Sequence, residues 1–590
     1  MSSALALQPD RRALIAPLSV ETSRPSDQSW LKVVVQRLQE TLDDNGLTHA
    51  RELAEKFRES ASVLASLAAA ELIAGNRENA VEASRQAITS SLEATDTAAV
   101  LQAAWTLTAS GLVEEADSTL RRLASRLVGP GSEHLVQAAD ALRAQVLVAR
   151  DDADGMLELL GSQERNPRTA GLIGWALIRL GRFDAAIQAL RRDLNAYGPR
   201  PDVLTNLGYA HAANGQLKKA IALTGEALHL APADLSIAFN LVSYQMAAGD
   251  PAKALQTLQA VRAYFPDSAK VTCALADVLA YMDKPDEALR ELRRNKDVLQ
   301  GASAYDRAAL IANEAYLLFR LRRRSAEVTI EALRKELLRS DYANLGVAKL
   351  LARVMLGVAS PSEFGVLAKG LLQRFSRQEC LEFLCVAEFA NDRWDEATQL
   401  SLEWARAEPF NVDALAMATY LLTDHVGDLD RAIDLGQAAL KRMPAATMVA
   451  NNVAYALALA GRAAEASRVI HGQPENPWSC ATQGLIALRS GDRKRADALY
   501  DRAAKLARDG YGPVLELMVR VHQAIAIARI DGSVLPSDAL QSLESLPEVA
   551  SSVAVDPRLR LVARKAAEFG VTLRLRAPVN LRGDQTKTQP

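Results

Sequence analysis

A chain of 590 residues is too long for one compact globule, which leaves several domains or a repeat array that grows in one direction. Apolar residues make up 49% but aromatics only 5%, so the core is built from Ala, Leu, Val and Ile, side chains that suit closely approaching helices. Lys plus Arg (69) nearly cancels Asp plus Glu (71), and a net charge of −2 argues against nucleic-acid binding driven by overall charge, while leaving room for a local basic patch.

Residues 1–28 are rich in Ser, Pro and short polar breaks and read as a flexible leader. The apolar pieces of MSSALALQPDRRALIAPLSV are interrupted by Asp10, Arg11 and Arg12, which is not the pattern of a secretory signal. No run of about 18 apolar residues occurs anywhere, so no membrane span is expected and a cytoplasmic protein is the default. Helical patterning begins with WLKVVVQRLQETL at Trp30 and stops at Asp43-Asp44-Asn45-Gly46. That helix and the repeating helix pairs after it make up 29–130, where Leu64, Leu67, Gly75, Ala80 and Ala87 mark one unit and Gly111 with Ala116 another. From 131 to 166 the phase is lost, although ALRAQVLVAR and GMLELL still read as a helix pair.

The clearest order lies in 167–300. Ala186, Ala220, Ala254 and Ala288 recur every 34 residues, with Gly181, Gly215 and Gly249 five residues before the first three and Gly174 and Gly208 twelve before the first two. A small residue at a fixed phase of such a period is what stacked helix-turn-helix units need where two helices pass closely. Within 201–234, Leu204, Leu207, Gly208 and Ala210 fall in the first helix and Ala220, Ala227 and Pro232 in the second. This pattern resembles the tetratricopeptide repeat family, with a large apolar residue at position 4, Leu at 7, Gly at 8, Ala at 20 and 27 and Pro at 32; His211 and Thr224 stand where aromatics are usual. The resemblance implies an all-α, right-handed superhelical solenoid of helix-turn-helix repeats, partly degenerate, with capping helices at its ends.

Residues 301–377 keep helical patterning without a clean phase, and read as degenerate repeats that continue the stack rather than as a change of its direction. A second block occupies 378–510: Ala397 is followed by Ala432 after 35 residues, then by Ala466 after 34, with Gly484, Gly491, Ala496 and Ala503 beyond. Residues 511–575, with PVLELMVRVHQAIAIARI and DPRLRLVARKAAEFG, have helical spacing but no repeat signature and are expected to cover the open end of the solenoid; 576–590 read as a disordered tail.

Little in the chain points to catalysis. Seven scattered histidines form no HExxH, and there is no GxSxG and no phosphate loop, so neither an enzyme nor a cofactor is expected. The four cysteines form no CxxC pair and read as buried small apolar residues in a reducing compartment; no metal site is expected.

Binding is the better prospect. In tetratricopeptide arrays the first helix of each pair lines the concave surface, and the resemblance points its positions 5, 6 and 9 at a ligand. Asn206, Asn240 and Asn452 occupy position 6, Phe239 and Asn451 position 5, and Trp175, Tyr209 and Tyr455 position 9. A column of amides can pair with the backbone of an extended peptide whatever its sequence, an arrangement similar to the asparagine ladder in the repeat domain of O-linked N-acetylglucosamine transferases. A second reading has these asparagines bonding neighbouring loops. Aromatic rings with polar tips supply anchoring area, or pack adjacent repeats together. Thr205 and Tyr209, then Phe239 and Ser243, stand where a two-carboxylate clamp needs Lys and Asn, so capture of a chaperone's acidic tail is not supported.

Arg320, Arg322, Arg323 and Arg324 form a possible patch for an anion or an acidic partner, although Glu327, Glu331 and Glu336 favour a solvated, salt-bridged face. The stretch from Arg558 to Pro590, with eight Lys/Arg against two acidic residues, poses the same choice. The expected function is a non-enzymatic scaffold or adaptor that holds a peptide segment or a partner subunit on the concave surface, with self-association open. The alternative is a sensor whose solenoid changes shape on binding a peptide or small molecule and so controls a separate protein.

Overall fold

The computed structural model describes residues 44–127, 180–294, 304–532 and 556–573 apart from single positions, together with isolated residues in 136–178 and 538–549. The expected leader 1–28, the first helix from Trp30 and the tail 576–590 lie outside the described residues, as does most of the out-of-phase pair at 131–166. Every element among the described residues is helical, and the architecture is an all-α repeat solenoid. Two compact units divide the chain. One comprises 1–324, 331–350 and 369–380; the other comprises 325–330, 351–368 and 381–590.

In the first unit the helix pairs follow the 34-residue frame. The best ordered are Pro201–Ala213 with Leu217–Leu230, Leu235–Ala247 with Pro251–Arg262, and Ala269–Tyr281 with Pro285–Arg294. Asx residues begin several of these helices by accepting from backbone amides that have no carbonyl partner: Asp234 takes the Ser236 and Ile237 N–H, and Asp250 that of Lys253. The four alanines of the ladder are fully buried, because a larger side chain there would hold the paired helices apart. The ladder glycines work against a second row sixteen residues on. A Cβ on Gly174 would stand 2.4 Å from Leu190 Cδ2, and one on Gly208 2.4 Å from Thr224 Oγ1, so glycine at position 8 makes room for whatever stands at position 24. Thr224, where an aromatic is usual, is fully buried in that space.

The turns inside the pairs are left-handed at one fixed place, Gly181, Gly215 and Gly249, with φ of 71°, 77° and 80°. Thirty-four residues after Gly249 the same place is held by Asp283, at φ 58°, so the period continues although its glycine is lost. Gly215→Ala is expected to cost about 1 kcal/mol, read as a lower urea midpoint at unchanged slope, because alanine meets the left-handed steric penalty that Asp283 already bears. Between 304 and 374 the chain stays helical, in Ala304–Arg320, Ala326–Arg339, Leu345–Met355 and Pro361–Arg374. The first of these adds Leu310, Leu317 and Leu318 to the core around Ala288, Leu289 and Leu292.

In the second unit the pairs are Leu381–Ala390 with Trp394–Ala407, Val412–Leu421 with Leu429–Arg442, Thr447–Leu459 with Ala463–Ile470, and Pro477–Arg489 with Arg493–Tyr511. Here too a position-8 glycine faces position 24, Gly484 against the Tyr500 ring at 2.8 Å from a notional Cβ. The helix Val412–Leu421 runs on into a π-helical turn, Leu422–Val426, which ends at Gly427 with φ 78°. A π turn holds one residue more than an α turn, and it accounts for the 35-residue step between Ala397 and Ala432.

The segments expected only to cover the open end do more than that. Pro513–Asp531 follows Arg493–Tyr511, and Pro557–Glu568 packs on it through Leu559, Val562 and Ala566. On its other side, Leu561 of that last helix lies with Phe389, Ala397 and Leu421 in the core of the repeats. The C-terminal helix therefore returns to the ends of the first helices Leu381–Ala390 and Val412–Leu421 and to the turns that follow them. All four cysteines are buried thiols, as expected, and burial pushes Cys385 up to about 12, out of range for a reactive thiolate.

Candidate functional site

The asparagines of the two blocks are placed differently. Asn206 and Asn240, 34 residues apart at position 6 of adjacent first helices, are half-buried, and their amides hydrogen-bond to nothing among the described residues. Tyr209 lays its ring on the core around Leu190 and Leu207, and Phe239 on the core around Ala238 and Leu275. In the first block these four residues thus combine two uncommitted amides with two half-exposed rings. Trp175 lies outside the described residues. His211 is buried behind this face, with Nδ1 3.0 Å from Gln216 Oε1, and burial lowers its pKa.

In the second block positions 6 and 9 are spoken for. Asn452 Nδ2 donates to Ala416 O at 2.9 Å and to Thr419 Oγ1 at 3.2 Å, both in the preceding first helix, so here position 6 ties one repeat to the helix before it rather than to a neighbouring loop. Asn451 Oδ1 is enclosed without a hydrogen-bond partner among the described residues. Tyr455 reaches Asp424 Oδ1 at 3.2 Å and lies 3.4 Å from Nδ1 of His522, whose ring meets it edge-on; this is the helix Pro513–Asp531 covering the position rather than solvent. Burial pushes the Tyr455 hydroxyl far above the usual phenol range, and Asp424 adds to that effect.

Burial also lowers the His522 pKa, with Asp424 opposing and Lys565 reinforcing the shift. Below about pH 6.5 the unfolded chain takes up a proton that the folded site resists, so stability is full above that pH and falls as the pH drops toward the folded value. Amide exchange over 513–531 is expected to speed up between pH 7 and pH 5.5, after correction for the intrinsic rate, and His522→Gln to remove most of that dependence. His211 gives the first unit a dependence of the same sign, which is why the readout is local.

The arginine patch is mixed. Arg323 Nη1 is committed to Asp286 Oδ1 at 2.6 Å, and Arg322 sits in a left-handed turn with φ 57°. Arg320 is exposed and Arg324 half-exposed, and neither has an ion pair among the described residues. Downstream, Arg339 pairs with Glu336 at 2.9 Å, as a salt-bridged face requires. No group of three or more His, Cys, Asp or Glu side chains is placed to hold a metal, and no helix is long and apolar enough to cross a membrane, among the described residues.

What sequence reading missed is the receiving face for the C-terminal helix. Arg560 Nε donates to both oxygens of Asp392, at 2.9 and 2.7 Å, and its Nη2 to Ala390 O at 3.0 Å. The Arg564 guanidinium stands 5.1 Å from the centre of the Trp394 ring. Lys565 Nζ donates to Asp424 O at 2.7 Å and Thr423 O at 3.3 Å, inside the π turn. Two signals were present in the sequence: the 35-residue step that makes the turn, and Asp392 where the repeat frame puts glycine, five residues before Ala397.

Family models described as tetratricopeptide repeat match residues 167–192 and 211–277. Residues 167–192 and 211–277 are thus tetratricopeptide repeats within the all-α array. The matched segments hold Ala186, Ala220 and Ala254 of the ladder and Asn240, while Asn206 lies in the interval between them and Ala288 beyond the second. Among solved structures the chain is similar to the one titled "Crystal structure of APC/C hetero-tetramer Cut9-Hcn1", at 14% identity over 88% of this chain and 95% of that one, with a TM-score of 0.43. A search of curated proteins returns no match. Tetratricopeptide arrays are protein-interaction scaffolds, and that is the general role this one supports.

Proposed function

We propose that the chain is a non-enzymatic scaffold that holds an extended segment of a partner protein along the first helices of 201–268. Asn206 and Asn240 bond the segment's backbone, and Tyr209 and Phe239 bear its side chains. The observation that carries this reading is the contrast at position 6: the first-block amides have no intramolecular partner among the described residues, whereas Asn452 is used within the fold. A preformed helical face loses little conformational freedom on binding, so a modest number of contacts yields useful affinity.

The test is affinity capture of a partner from native extracts on the full chain, followed by titration of the purified partner. Alanine at Asn206, Tyr209 and Asn240 together removes two amide bonding sites, about 1 kcal/mol each, and one aromatic anchor worth about 2 kcal/mol. Affinity should fall by roughly a thousandfold with helical circular dichroism unchanged. Affinity equal to that of the unmodified chain would overturn this placement of the site.

A further inference from the structure

The second block carries a binding face of different chemistry, independent of the first-block reading. Arg560, Leu561, Arg564 and Lys565 fall at spacings of one, four and five residues, so they form one stripe of the helix Pro557–Glu568. Each meets a dedicated receiver in the repeats: Asp392 and the Ala390 carbonyl for Arg560, the Phe389–Leu421 core for Leu561, the Trp394 ring for Arg564, and the carbonyls of Thr423 and Asp424 for Lys565. The receivers are also where the repeat pattern breaks. Asp392 takes a left-handed turn, φ 59°, as Asp283 does at the same place in the first unit, but here its carboxylate is given to Arg560; the carbonyls that Lys565 takes lie in the closing π turn, where a helix end leaves them without an intrahelical donor. Departures that cost stability yet converge on one basic helix mark a recognition face rather than repeat packing.

The fit is also incomplete. Trp394 Nε1 and His425 Nδ1 are enclosed without a hydrogen-bond partner among the described residues, Trp394 being the ring under Arg564 and His425 its neighbour at 5.9 Å between ring centres, so a helix that reached them would add bonds that Pro557–Glu568 does not make.

We propose that the surface formed by Phe389–Trp394 and Leu421–Asp424, at the ends of two first helices and the turns after them, is a binding site for a basic amphipathic helix of a partner protein, closed in the free chain by the helix Pro557–Glu568 acting as an internal ligand. Tethering gives the internal helix an effective concentration on the order of millimolar, so it suppresses weaker outside helices and yields to one with more complete bonding.

A fluorescein-labelled peptide of residues 556–571 serves as the probe, with the full chain and its Arg560→Glu/Lys565→Glu variant. The variant's internal helix is repelled from Asp392 and Asp424, while its receiving face is unaltered. It should bind the peptide at least tenfold more tightly than the wild-type chain, and a peptide with Glu at positions 560, 564 and 565 should bind neither. Equal binding by the wild-type chain would overturn the closure, and a variant with wild-type circular dichroism that gains no affinity would overturn the site. Hydrogen exchange on the wild-type chain decides the matter without any variant. Amides of 557–568 should exchange at least tenfold faster than those of 412–421; exchange at the same rate as those repeat helices would make the helix a permanent part of the core and overturn the proposal. A wild-type dimer that the peptide dissociates would assign the face to a second copy of the chain and overturn the partner assignment.

Discussion

Arg353→Ala is expected to destabilise the unit that contains it by about 3 kcal/mol, the cost of leaving a buried carboxylate without its cation. Arg353 projects from Leu345–Met355, and its Nε and Nη2 donate to Glu382 Oε1 at 2.9 and 2.6 Å, with Nη2 also 2.8 Å from Asp413 Oδ2. The Glu382 side chain is 2% exposed, that of Asp413 28%. Water can therefore replace the guanidinium at Asp413 but not at Glu382, and the penalty falls on Glu382. Higher helix propensity returns only a few tenths of a kcal/mol to the alanine variant. If a stranded charge is the cause, Arg353→Ala combined with Glu382→Ala should be more stable than Arg353→Ala alone, a non-additivity of 1 kcal/mol or more in a double-mutant cycle read from urea midpoints. A single variant that loses less than 1 kcal/mol would mean that water reaches Glu382 and that the pair is not a buried one.

The same distinction between near and distant partners separates what the sequence discloses from what it hides. The alanine ladder was legible because each alanine answers to a helix in its own repeat, within the period being read, and Ala186, Ala220, Ala254 and Ala288 are all fully buried. The break after Gly249 was more apparent than real: Asp283 keeps the left-handed turn in phase, and only the identity of the residue conceals it. Position 6 shows where periodic reading ends. Asn206, Asn240 and Asn452 are equivalent in the frame, yet Asn452 alone is bonded internally, because Thr419 stands one repeat earlier with its hydroxyl within reach. No pattern inside the unit of Asn452 records that. The course of Pro557–Glu568 was hidden for the same reason on a larger scale, since its partners Asp392 and Asp424 lie 168 and 141 residues away in the chain. The basic character of the C-terminal stretch was visible; that Arg560, Arg564 and Lys565 are spent on the chain's own repeats was not.

Gly436→Val is the second large effect, expected at 3 kcal/mol or more, and it tests whether the second block's face depends on close helix approach. Gly436 lies within Leu429–Arg442, where alanine would raise helix propensity by about 1 kcal/mol. Packing reverses the sign. A Cβ there would stand 2.1 Å from Val453 Cγ2 and 3.5 Å from Thr419 Cγ2, and Val453 is fully buried with nowhere to retreat. Overpacking of this kind costs about 1–3 kcal/mol for a small intrusion, so even Gly436→Ala should come out net destabilising, and valine, β-branched inside a helix, more so. Val453→Ala should rescue Gly436→Ala, leaving the double variant more stable than the sum of the two single losses predicts; strict additivity would show that the clash relaxes elsewhere. The consequence reaches the binding face. Thr419 bonds Asn452 and adjoins the π turn that holds Lys565, so a helix pushed outward at Gly436 shifts the first helices on both sides of it. Gly436→Ala should therefore speed amide exchange in Pro557–Glu568 as well as lower the unit's stability, whereas the Gly215→Ala variant, in the other unit, should leave that helix's exchange unchanged.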